Sequence, residues 1–145
     1  MIVQRYYIKE YDWTVTAYYA VTRYYIDDIM LNLRRIDCEG DFLRQAYRNL
    51  KENRLNSGLT YSNYHKRETV KVVALASSAK QFHQALMHEV RHLQSHIATA
   101  YKINEKGEEV CYLLDNIVGQ IHDTTAPLIC NCCRKKESYG HNEHY

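Results

Sequence analysis

At 145 residues, 46% hydrophobic and 25% charged, the chain has the balance of one globular domain able to bury a core without disulfides. A formal charge of +2 is too small to argue for nucleic acid or an anionic membrane, and no apolar run reaches signal-peptide or membrane-spanning length. The five cysteines are an odd number, and without an export signal they are expected as free thiols in a cytoplasmic protein.

The segments Ile2 to Ile8 and Trp13 to Val21 are rich in Tyr, Val and Thr. The polar Lys9-Glu10-Tyr11-Asp12 divides them, which predicts a β-hairpin. Ile26, Ile29, Met30, Leu33 and Ile36 recur at helical spacing, and Phe42, Leu43, Ala46, Tyr47 and Leu50 fit a second amphipathic helix closed by the turn Asn56-Ser57-Gly58. Two strands follow: Leu59 to Tyr64 alternates weakly, and Thr69 to Ala76 is strongly β-prone, with His65-Lys66-Arg67-Glu68 between them. Ser78, with Gln81 three residues on, then forms a capping-box pattern ahead of a helix that buries Phe82, Leu86, Val90, Leu93 and Ile97. After the turn Asn104 to Gly107, a last helix is expected from Glu108 to His122, with Val110, Leu113, Leu114, Ile117 and Ile121 on its apolar face. Pro127 opens a polar tail rich in Cys and His. The order of two strands, two helices, two strands and two helices indicates an α+β domain over residues 1–126, followed by the tail 127–145. The 14 tyrosines, against two Phe and one Trp, are first a matter of composition, with a half-wet tyrosine wall as the alternative.

The motif that carries chemistry is His88-Glu89-Val90-Arg91-His92. Residues four apart stack on one helix face, so two imidazoles can serve one ion, and the adjacent Glu89 can take a proton from water at that ion without ligating it. Zinc in such a site makes water acidic enough for the glutamate to activate it. The pattern arises by chance in about a few per cent of chains with this His and Glu content, and two solvated histidines on a surface helix would then explain it. Its place in a well-capped amphipathic helix directly after a β-prone strand favours metal. His96 continues the spacing, but eight residues of helix span about 12 Å, so all three histidines cannot surround one ion. A third ligand must come from elsewhere. If the motif helix ends at Tyr101, His92 lies roughly 13.5 Å back, and the seven residues to Glu108 can span up to about 24 Å. Glu108 and Glu109 are both within reach by this measure. Both also suit a helix N-terminus simply as favourable charge.

Met87-His88-Glu89-Val90-Arg91-His92-Leu93, followed by Gly107-Glu108-Glu109-Val110-Cys111-Tyr112-Leu113-Leu114, resembles the small zincin-like metallopeptidases of phages and bacterial mobile elements. The resemblance covers roughly residues 59–122 and is of the gluzincin type, in which two histidines and a downstream glutamate hold zinc. It implies a minimal zincin-like α+β fold, with a small antiparallel or mixed sheet packed on the motif helix and a following ligand-bearing helix. It implies Zn²⁺ on His88, His92 and Glu108, since the family's Glu-x-x-x-Tyr-Leu pattern falls on Glu108 and Tyr112, with Glu109 in reserve. It implies Glu89 as the catalytic base, a peptide or protein substrate, and action in the cytoplasm, that of the host for a phage-encoded protein. Val70 to Ala76 looks like the edge strand that such folds lay beside the substrate, available for strand addition. No residue matches a family oxyanion stabiliser.

Other clusters rank lower. Cys130, Cys132 and Cys133 with His141 and His144 lack the paired spacing of a structural zinc knuckle. Cys111 and His122 are about 16 Å apart along one helix, too far for a nucleophile pair. Lys66-Arg67 and Arg134-Lys135-Lys136 are too short to indicate nucleic-acid binding. The alternative to a hydrolase is a non-catalytic binding or regulatory module on the same scaffold, against which an intact Glu89 argues. A small structural phage protein with an accidental motif is the third possibility.

Overall fold

A computed structural model of the chain describes residues 2–55 and 58–130. Strand β1 (Ile2–Ile8) turns through a single 3-10 turn at Lys9–Tyr11 into β2 (Trp13–Val21), and the hairpin pairs antiparallel from Ile2 with Tyr19 to Ile8 with Trp13. Asp12, at φ 48°, supplies the left-handed residue that closes the turn. Helices α1 (Ile26–Arg35) and α2 (Gly40–Lys51) follow, then β3 (Gly58–Asn63), β4 (Glu68–Ala74), α3 (Ala79–Tyr101) and α4 (Glu108–Ile129). The order and type of all eight elements agree with the sequence reading. Asn56 and Ser57 of the expected turn lie outside the described residues.

The sheet order is β1-β2-β4-β3. β4 runs parallel to β2 and antiparallel to β3, so the sheet is mixed. This corrects one expectation. The segment around Val70 to Ala76 is not an edge strand: β4 has a partner on each side, and the edges belong to β1 and β3. The reason lies in composition, because Val70, Val72 and Val73 are all buried and a strand covered on both faces reads as a continuous apolar run. The weaker, more polar Leu59 to Asn63 is what an exposed edge tolerates.

Each face of the sheet carries its own core. Trp13, Val15, Ala17, Tyr19 and Val73 pack against Phe82, Leu86, Val90, Leu93 and Ile97 of α3 and against Leu113, Ile117 and Ile121 of α4. On the opposite face Tyr18, Val70 and Val72 meet Ile29, Met30 and Leu33 of α1 and Ala46 and Leu50 of α2. The result is a helix–sheet–helix sandwich. Tyr18 and Tyr19 show how tyrosine serves such a core, facing opposite helical layers while their hydroxyls donate to Asp28 Oδ2 at 3.0 Å and Gln4 Oε1 at 2.9 Å.

Ser78 caps α3 as expected, its hydroxyl accepting from Gln81 N at 3.1 Å. The reciprocal half of the capping box is replaced by a contact from Ser77 Oγ to the Gln81 side chain. Helix α4 continues past the expected end at His122, through Pro127, to Ile129. Leu128 and Ile129 pack on the α3-side core, so burial holds the last turn despite the donor that proline lacks. The tail after Cys130, with Cys132, Cys133, His141 and His144, lies outside the described residues. Among the described residues no helix is long and apolar enough to cross a membrane.

Candidate functional site

The motif occupies the middle of α3, where helix and sheet edge meet. The side chains divide by helical angle. Val90 and Leu93 are buried at 1% and 0%, while His88 and His92 emerge together on the exposed stripe. Their Nε2 atoms lie 3.2 Å apart, with ring centroids at 4.9 Å. Two nitrogens each about 2.0–2.1 Å from a tetrahedral zinc would stand about 3.3 Å apart. The pair therefore has the separation a shared ion requires.

Glu89 turns the other way, toward the sheet edge, and is only 2% exposed. Thr60 of β3 donates its hydroxyl to Glu89 Oε2 at 2.6 Å. Lys71, opposite Thr60 in the β3–β4 register, is fully buried on the same face. Desolvation drives its pKa down to about 8, and the negative charge of Glu89 works against that fall. Lys71 Nζ also donates to Tyr6 OH at 3.3 Å.

His88, Glu89, His92 and Thr60 border a cleft of about 410 Å³ that crosses the β3 edge between α2 and α3. Gln45, Ala46 and Asn49 line its α2 side, Gly58, Leu59 and Thr60 its floor, and His88, Glu89, His92 and His96 its α3 side. At Gly58 a Cβ would stand 1.8 Å from the Val72 carbonyl oxygen and 3.2 Å from Glu89 Cγ, so only glycine lets β3 pass this close. His96 lies one turn beyond His92, with ring centroids 6.3 Å apart, wider than the His88–His92 pair. Its Nδ1 is 2.7 Å from Ser62 Oγ. Burial first, then the neighbouring His92, lowers its pKa.

Glu108 and Glu109 are not part of this cleft. Gln94 donates to the Val110 carbonyl at 2.9 Å and fastens the first turn of α4 to the flank of α3. Gln94 lies about 200° around the helix from His92, so that contact is on the far side from the histidines. Glu109 accepts from Tyr11 OH at 3.0 Å and borders a separate hollow with Glu10 and Tyr112. Glu108 is exposed and engages no side chain among the described residues. The glutamate that does lie along α3 is Glu105, whose carboxylate accepts from Arg91 and from Ser95, each at 3.3 Å. Among the described residues no group of three or more His, Cys, Asp or Glu side chains is arranged to hold a metal ion. Among the described residues the motif brings two imidazole nitrogens together, those of His88 and His92.

Sequence reasoning missed Thr60, Ser62, Lys71 and Glu105 as neighbours of the motif. Lys71 carried a signal, as a lone charge inside the apolar run Val70 to Val73. The alternation of Thr60 and Ser62 carried a weaker one. Comparison of the chain with family models, curated proteins and solved structures found no match in any of the three.

Proposed function

We propose that the protein is a zinc-dependent hydrolase that cleaves peptide bonds, with His88 and His92 holding the ion and Glu89 as general base. The observation that supports it is the 3.2 Å separation of the two Nε2 atoms on an exposed stripe beside a carboxylate that borders the same cleft. Bound zinc supplies Lewis acidity to a carbonyl and to water in the cleft. Thr60 orients Glu89 by donating to one of its oxygens, and a carboxylate so placed beside the cleft is suited to accept a proton from water. The unpaired edge of β3 offers backbone donors and acceptors to an extended peptide, in the role first expected of β4. The third donor expected at Glu108 is not among the residues of the cleft, so the reading rests on His88 and His92, and substitution at Glu108 and Glu109 tests the expectation.

Elemental analysis of purified protein tests the metal. About one zinc per chain is expected, and the His88→Ala/His92→Ala double variant should lose it. Folded wild-type protein that takes up no zinc overturns the reading.

The burial of Glu89 beside Lys71 favours a second reading, a non-catalytic module in which the carboxylate supports the fold. Glu89→Gln separates the two. A hydrolase loses 10²-fold or more in peptide cleavage, on the order of a general base's contribution, while keeping zinc. A binding module keeps its cellular activity.

A further inference from the structure

We infer that His96 is a neutral hydrogen-bond donor of the cleft, presenting Nε2–H to the substrate oxygen beside the His88–His92 pair. A one-way hydrogen-bond chain starting at Trp13 fixes its tautomer. The substrate role rests on the hydrolase reading above; the tautomer does not.

The chain is read from its donor end. Trp13 is fully buried, and an indole N–H can only donate, which it does to Thr69 Oγ1 at 2.8 Å. The Thr69 hydroxyl therefore accepts from Trp13 and keeps its own hydrogen to place. Thr69 is 1% exposed, and its one other side-chain partner is Ser62 Oγ at 2.7 Å. Were Ser62 the donor in that contact, the Thr69 hydrogen would be buried without an acceptor, a costly arrangement that folded proteins avoid. Thr69 consequently donates to Ser62.

Ser62 is also buried, has one hydrogen, and meets one further side chain, His96 Nδ1 at 2.7 Å. It donates there. Nδ1 is then an acceptor, and in a neutral imidazole the proton sits on Nε2. The direction Trp13 to Thr69 to Ser62 to His96 satisfies every hydrogen, and aligned bonds of this kind reinforce one another.

The register of the strands builds this chain. Ser62 stands opposite Thr69 in the β3–β4 pairing, and both face α3. β3 thus anchors one ring nitrogen of His96 and one oxygen of Glu89, through side chains two residues apart on the same face. Nothing else among the described residues hydrogen-bonds His96, so Nε2 is the ring atom left for a ligand in the cleft. A fixed, neutral N–H beside the ligand pair is suited to the negative charge that grows on a carbonyl oxygen under attack. No residue matched a family stabiliser in this role at the level of sequence.

Nitrogen NMR of ¹⁵N-histidine-labelled protein, free of metal, reads the tautomer directly. Nε2–H with unprotonated Nδ1 is expected for His96, and Ser62→Ala should convert it to a mixture. Nδ1–H in the wild type, or no response to Ser62→Ala, overturns the inference whatever the protein does with zinc. On zinc-loaded protein, His96→Ala should lower kcat for a peptide substrate about 10²-fold with KM and zinc content little changed. His96→Gln, which keeps an N–H donor, should recover part of that loss. Zinc lost in His96→Ala would make His96 a ligand and sink the inference. A wild-type protein that takes up no zinc sinks the hydrolase reading and the substrate role together, leaving the NMR result to decide the tautomer.

Discussion

Thr60 donates its hydroxyl to Glu89 Oε2 across 2.6 Å, so the edge strand of the sheet holds the carboxylate of the motif it flanks. A hydrogen bond to a carboxylate contributes about 1.5–3 kcal/mol, and its partner here is almost fully buried. Thr60→Val keeps the shape and removes the donor. The expected outcome is a loss of about 1–2 kcal/mol of folding stability and a roughly ten-fold fall in kcat with zinc content unchanged. Denaturant unfolding and initial rates on a peptide substrate measure the two effects. Unaltered kcat would show that Thr60 does not orient the base.

Gly58 is the position least able to change. Its φ of 153° lies where side chains are strained, and an added Cβ would overlap the Val72 carbonyl oxygen at 1.8 Å. The neighbour is backbone of an interior strand, so neither partner can yield cheaply. Gly58→Ala should cost more than about 3 kcal/mol in urea unfolding. A loss below 1 kcal/mol would mean that β3 does not approach β4 this closely.

The parts of this architecture that were legible in the sequence are those set by local periodicity. The limits of β1 and β2, and the start of α3 at its Ser78 cap, depend on alternation, spacing and a side-chain acceptor within a few residues. Strand neighbours are different, because pairing joins residues far apart in the chain. Nothing local in Val70 to Ala74 states that β2 will lie on one side and β3 on the other, although a largely apolar run, broken only by Lys71, is the signature of an interior strand. The same limit hid Thr60, Ser62 and Lys71, which reach the motif only through the β3–β4 register. The His88–His92 pair was legible because four residues of helix fix it. The position of Glu108 was not, since it depends on which flank of α3 receives α4, and Gln94 decides that.

Lys71 and the buried phenols should give stability opposing trends at alkaline pH. The folded pKa of Lys71 is depressed from 10.5 to about 8, so between those values the unfolded chain binds the extra proton and stability rises with pH. Cys38, pushed up to about 11 by burial, acts the other way from its ordinary 9 upward, and Tyr18, pushed up to about 12 chiefly by burial, does so above 10. A Lys71→Met variant isolates the lysine, because the other groups cancel between the two proteins. The stability of wild type relative to Lys71→Met should climb by roughly 3 kcal/mol from pH 8 to pH 10.5, read by urea unfolding at several pH values. A flat difference would show that Lys71 is not desolvated in the folded protein.

The third zinc donor is the part of the site where sequence and fold pull apart, and substitution can resolve it. Glu108 has no side-chain partner among the described residues, so Glu108→Gln should change folding stability by no more than about 0.5 kcal/mol. If Glu108 ligates, the same change weakens zinc binding at least ten-fold in a chelator competition, as loss of a charged ligand should. Glu109→Gln should leave zinc affinity unaltered, because Tyr11 holds that carboxylate in a separate hollow. Its effect falls instead on Tyr11, whose pKa is raised to about 12 by desolvation first and by the Glu109 hydrogen bond second, and which should titrate lower in the variant. Glu105→Gln serves as the third arm, since that carboxylate is the one bound along α3 by Arg91 and Ser95. Zinc affinity that falls in Glu105→Gln but not in Glu108→Gln would move the third donor to the connection between α3 and α4. Affinity unchanged in all three would leave the two histidines as the whole protein donor set.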